Sequence, residues 1–232
     1  MISSAPTNAD NPARWRLRTQ IPDDWIDLAG TTSPSEAVGV VTSALEDVGI
    51  EVTKHEQRLL RSGLEAWHRF SRDNGLLVHG LVYQGREYSG QSAIGSEVFW
   101  TVTGFVTDIS AFEGALSPME ALRRVVAAKL GVAVDEAYTE LFHTGIGPAI
   151  GMTVNHELML QQPGVDDQPP VTSTVGLALV VAMPPEGGPS LVLGGLSRDP
   201  TQRDGLGMLL ARIAGPATIV PADRETPAEG ER

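Results

Sequence analysis

Cysteine is absent from all 232 residues. That excludes disulfides, thiolate catalysis and cysteine-ligated zinc or iron–sulfur sites. Long apolar runs are missing too: nothing approaches ~18 uninterrupted apolar residues, so no helical membrane span is expected. Basic residues are scarce, with 17 Lys and Arg against 29 Asp and Glu, for a formal net charge of −12. Phosphate backbones and anionic lipid surfaces attract proteins through Lys and Arg, so neither nucleic acid nor a membrane is an expected partner. Met1 to Arg18 is polar and lacks the apolar stretch of a secretory signal, which leads to the expectation of a cytoplasmic protein.

What is present points to a folded core. Hydrophobic residues make up 41% and charged residues 20%, too few charges for a disordered chain. A chain of this length buries roughly 70% of its unfolded surface. Residues 1–12 read as a disordered arm, 13–220 as a single domain and 221–232 as a flexible acidic tail carrying Asp223, Glu225, Glu229 and Glu231.

Four helices are expected from their start signals. Ser33-Pro34-Ser35-Glu36 is a capping box with proline at the first helical position, and Gly49 can end that helix. Thr53-Lys54-His55-Glu56 repeats the box ahead of Leu59, Leu60, Leu64 and Trp67, which share one helical face. Ser117-Pro118-Met119-Glu120 opens the third, with Leu122, Val125, Val126 and Leu130 on its apolar side. Thr201 is the expected cap of the fourth, which carries Leu206, Leu209, Leu210 and Ile213.

Strands fall between these helices. Arg14–Thr19 and Trp25–Leu28 flank a turn at Pro22-Asp23-Asp24 and read as a first hairpin. Gly75–Tyr83 and Ala93–Asp108 follow, separated by a polar turn from Gln84 to Gln91. Ile150–Leu160 alternates, and Val171–Pro184 and Ser190–Ser197 run apolar around the turn Pro184-Pro185-Glu186-Gly187-Gly188-Pro189. Strands grouped without strict β-α alternation predict an α+β fold, an antiparallel sheet flanked by about four helices.

No catalytic constellation is legible. Gly145-Ile146-Gly147-Pro148-Ala149-Ile150-Gly151 lacks what a phosphate cradle needs, because its glycines open a strand and Pro148 removes a donor. There is no Gly-x-Ser-x-Gly elbow and no His-Glu-x-x-His motif, so no metal is assigned. Asp166-Asp167, in the loop Gln161–Pro170, reads as a solvated pair, with a weak divalent-cation site as the alternative.

Among the five histidines, His156 stands out. It shares one strand face with Ile150, Met152, Val154, Leu158 and Leu160, while Glu157 points to the other face. A pocket over that face, with His143 or Trp100 beside His156, is the candidate ligand site. The structural alternative is an imidazole hydrogen-bonded to a neighbouring carbonyl. His79 lies inside an apolar strand, and His55 and His68 ride on the second helix. The four tryptophans read as core anchors rather than an aromatic cage.

Several segments occur in a familiar order. Ile21-Pro22-Asp23-Asp24-Trp25 and Asp73-Asn74-Gly75-Leu76-Leu77 come first. Val181-Ala182-Met183-Pro184, the strand Leu191-Val192-Leu193 and a closing helix follow. From Trp15 to Ile213 this resembles uncharacterised actinobacterial proteins related to the PsbP-like α/β fold. The resemblance implies an antiparallel sheet flanked by helices, and binding or assembly roles rather than catalysis. Some of those relatives are associated with type VII secretion. The high Ala, Gly and Val content suits a high-GC bacterium.

These observations favour a non-enzymatic protein that binds another protein as an assembly or secretion accessory, with no cofactor. A homo-oligomer is left open. The alternative is a small-molecule-binding protein or enzyme with its pocket over the sheet face of His156. A third reading, an immunity protein or antitoxin, rests on the acidic charge alone.

Overall fold

The computed structural model describes residues 15–84 except 23 and 48, then 98–108, 119, 120, 122, 123, 126, 137–160 and 171–222. Along the chain come β1 (Trp15–Arg18), β2 (Trp25–Asp27), α1 (Pro34–Asp47), α2 (Lys54–Asn74) and β3 (Val78–Gln84). Next are β4 (Val98–Asp108), β5 (Tyr138–His143), β6 (Pro148–Leu160), β7 (Val171–Ala182) and β8 (Pro189–Ser197). The chain closes with α3 (Arg203–Ala214) and β9 (Thr218–Pro221). Seven strands form one sheet in the order β2-β3-β4-β8-β7-β6-β5, antiparallel at every step. The fold is α+β.

Alternation in the strands gives the sheet two apolar faces. On the first, Val102, Gly195, Ala178 and Thr153 lie side by side across β4, β8, β7 and β6. Here α3 packs, with Leu206, Leu210 and Ile213 fully buried against Val102, Ala178, Val180 and Leu193. On the second face Leu81, Thr101, Leu196, Leu177 and Val154 form the matching row. Ala37, Val38 and Val41 of α1 cover its β3 end together with Leu64 of α2 and Leu28.

Several local expectations meet the structure directly. Between β7 and β8 the turn closes as the Gly187 N–H donates to the Pro184 carbonyl at 3.1 Å. Gly187 and Gly188 take φ of 79° and 111° there, values that favour glycine. The glycine run at Gly145 sits in the turn between β5 and β6, where Thr144 and Gly147 exchange backbone hydrogen bonds. It opens a strand.

Three expectations are corrected. The first hairpin does not form, because β1 pairs with β9 and β2 pairs with β3. Leu17 and Ile219 of the β1–β9 ribbon pack onto the core beneath α3, and the Thr19 hydroxyl donates to the Ile213 carbonyl. Burial against α3 therefore draws β1 to a partner at the other end of the chain. The helix count is three, not about four, among the described residues. The expected third helix from Ser117 falls largely outside them, although Met119, Glu120, Leu122, Arg123 and Val126 are helical. Leu122 is buried with Ile150, Val181 and Met183, on the second face. Finally, Thr201 does not cap the last helix. Gln202 holds the cap position and makes no side-chain cap bond, while Asp199 caps a short 3₁₀ turn before it, Pro200–Gln202, its carboxylate accepting from the Thr201 N–H at 2.9 Å.

Candidate functional site

The helix α2 has the sequence of a strong isolated helix rather than a core one. Its Thr53 cap is a complete capping box, with the Glu56 carboxylate accepting from the Thr53 N–H at 2.8 Å and the Thr53 hydroxyl accepting from the Glu56 N–H at 3.3 Å. Gly75 ends it in the left-handed conformation, φ 61°. Leu59, Leu60, Gly63, Leu64 and Trp67 fall on one stripe by helical spacing. Of these only Leu64 is buried, and Leu59 remains 47% exposed. An apolar stripe of this kind would normally be pressed onto a sheet.

Instead it forms the roof of a cavity of about 700 Å³. The floor is Leu81, Phe99, Thr101 and Leu196 from β3, β4 and β8. Leu45 of α1 and the connecting residues Ile50 and Val52 form the end wall. The polar side chains on the lining are Thr101 within and Glu51 and Glu56 at the α1–α2 connection. Hydrogen bonds from the Thr53 side chain and backbone hold the Glu56 carboxyl below the usual carboxylate range. Gly63 leaves an opening in the roof: a Cβ built on it meets nothing within 4 Å.

His79 lies under the same helix. It is 4% exposed, and its Nε2 has no hydrogen-bond partner among the described residues. Burial pushes its pKa down to about 4, with Asp27 opposing the shift and His68 adding to it. Trp67 holds it edge-on at 5.0 Å between ring centroids and stacks on Phe70 at 5.3 Å. Thus the Trp67 indole separates a buried neutral imidazole from the cavity it lines. Nothing in the sequence around His79 singled it out beyond its apolar strand; its depth comes from α2, which is packed over it.

The three residues expected to form a site are not brought together. His156 is half-buried on the second face, opposite Val175. His143 is exposed at the end of β5 and pairs with Pro148, eight residues from His156 along β6, or about 26 Å. Trp100 lies on the first face, with its indole N–H donating to Gln202 at 2.9 Å and its ring against Gly205 of α3. Its register partners Val82 and Ser197 are on that face, so the sheet itself separates it from His156. None of the three lines the cavity under α2. The cavity does occupy the face that carries His156, but at the β3–β4–β8 end rather than the β6–β7 end. Asp166-Asp167 lies outside the described residues, as do 85–91 of the expected turn, the expected arm 1–12 and 223–232 of the expected tail, whose first residue, Pro221, instead ends β9. Among the described residues no three His, Asp or Glu groups are placed to hold a metal ion, and no helix is long and apolar enough to cross a membrane.

Comparison with protein-family models, curated proteins and solved structures found no match. Nothing found there links the chain to PsbP-like or actinobacterial proteins.

Proposed function

We propose that this protein binds a small amphipathic molecule in the cavity under α2, with an apolar body and a neutral or cationic head. The observation that carries this reading is the only partly buried apolar stripe of α2, with Leu59 47% exposed, facing an apolar floor across about 700 Å³. That volume falls within the roughly 300–1,000 Å³ of small-molecule sites. The cleft is open to solvent, so water fills it when no ligand is bound. An apolar ligand body stabilises such a wall better than water, because it restores the dispersion contacts and removes apolar surface from solvent. The rim decides the head group. Glu51 and Glu56 repel a carboxylate or phosphate and attract an ammonium. The lining presents no nucleophile paired with a base, which supports binding rather than turnover.

Isothermal titration with dodecyltrimethylammonium and with dodecanoate, both below micelle formation, tests this. The cation is expected to bind saturably and the anion at least about tenfold more weakly. The variant Gly63→Leu extends the stripe into the opening and should block uptake. It should not lower stability, since leucine replaces glycine inside a helix. Equal binding of both amphiphiles, or undiminished uptake by Gly63→Leu, defeats the proposal.

A further inference from the structure

The two edges of the large sheet are protected very differently. At one edge β2 is only three residues long, which leaves little backbone to recruit another strand. At the other, β5 offers six residues, Tyr138-Thr139-Glu140-Leu141-Phe142-His143, and pairs only with β6 among the described residues. The devices that normally blunt such an edge are lysine, proline and bulges. Its sequence contains neither lysine nor proline, and its pairing with β6 runs through six consecutive residues without a bulge. Large apolar side chains are exposed along it, Tyr138 at 61% and Leu141 at 68%.

Beside this edge, on the first face, runs a second cavity of about 560 Å³. Tyr138, Glu140 and Phe142 of β5 form one wall, and Asp204, Met208 and Ala211 of α3 form the other. The space exists because α3 packs over β8, β7 and β6 and its contacts thin out before β5. Gly207 sits so close to β6 that a Cβ there would be 2.6 Å from the Thr153 methyl. Met208, on the next position, is 71% exposed and overhangs the groove. The charge of the groove is acidic. Arg203 lies 3.4 Å from Asp204, but Glu140 has no ion-pair partner among the described residues.

We infer that β5 is the docking edge for an extended, basic segment of a partner protein, which adds as an eighth strand and sends alternate side chains into the groove beside α3. Strand addition supplies main-chain hydrogen bonds along the β5 edge, which has no second strand among the described residues, and alternation places every second side chain over the groove. Apolar side chains there meet Tyr138, Phe142 and Met208, and a lysine or arginine meets Glu140. Charge favours a basic partner over a second copy of the chain, since each copy carries a net charge of −12 and brings the same acidic groove to the interface. This site is separate from the cavity under α2, on the opposite face and the opposite edge.

The test uses a short synthetic peptide alternating valine and lysine, a matching valine–glutamate peptide, and the full chain. Hydrogen exchange should show the amides of Tyr138–His143 protected by the lysine peptide and not by the glutamate peptide. Fluorescence anisotropy should show Glu140→Lys and Met208→Lys each weakening binding about tenfold, while both variants keep the wild-type unfolding midpoint. Gly63→Leu should bind the lysine peptide normally, which separates this site from the α2 cavity. Failure of the lysine peptide to bind overturns the inference, as does protection elsewhere in the chain. So does unchanged affinity in Glu140→Lys. Protection of the β5 amides in concentrated protein without peptide overturns it in favour of self-association.

Discussion

On one face of the sheet α3 lies so close that Leu206, Leu210 and Ile213 lose all solvent exposure; on the other, α2 leaves Leu59 and Phe70 47% exposed. The cause is side-chain size at the contact. A Cβ on Gly195 would be 2.8 Å from Leu206, so the β8 backbone approaches α3 as only glycine permits. The roof of the α2 cavity shows the opposite condition, with open space in front of Gly63. Close packing fixes the first face as the stable half of the molecule. The second face keeps part of its apolar surface available, and an element held by few buried contacts belongs to the low-stability end of the structure.

The comparison breaks most visibly at Leu206. Leu206→Ala removes a fully buried side chain and is expected to cost about 2–5 kcal/mol. Leu59→Ala should stay within about 0.5 kcal/mol while still reducing uptake of the alkylammonium probe. Urea unfolding of both variants measures the pair, and equal losses would remove the distinction between the faces.

A pH series sharpens it next. His79 is neutral in the folded protein, with its pKa lowered to about 4 from 6.5, so the unfolded chain takes up the proton first. The stability this group contributes is therefore complete above about pH 6.5 and is lost as pH falls toward 4. Protection factors should fall in α2 before they fall in α3, because the imidazole is buried under α2. His79→Phe, which keeps a ring against Trp67, should flatten the dependence of the urea midpoint in that window. An unchanged slope would place the titration elsewhere.

A smaller loss than at Leu206 is expected at the cap. Thr53→Ala deletes a hydroxyl that accepts from the Glu56 N–H, at a cost of about 1 kcal/mol. Thermal melts followed by circular dichroism should show that loss. Exchange should quicken in the first turn of α2, with α3 unaffected.

Much of the fold was legible because its signals are local. The capping box at Thr53 and the alternation of Ile150 to Leu160 each depend on residues a few positions apart. The proline–glycine turn at Pro184 to Pro189 is equally local. The candidate site was not legible. His156 does share its strand face with the expected apolar neighbours, yet period two says nothing about which end of the strand meets a cavity. Trp100 was grouped with it although register places the two on opposite faces. The α2 stripe was read correctly from spacing, but spacing cannot say how far a helix stands from its sheet.

By itself, then, the sequence determined where the first two helices begin, which residues of a strand share a face, and that the chain is acidic. Tertiary structure alone decided that β1 joins β9 rather than β2. It also set the depth of His79, the space under α2 and the place of β5 at one end of the sheet among the described residues. Backbone hydrogen bonds and caps are satisfied within a few residues, so a local pattern encodes them. Cavities and strand order arise from the fit of side chains contributed by segments far apart in the chain, and no single segment carries the information for that fit.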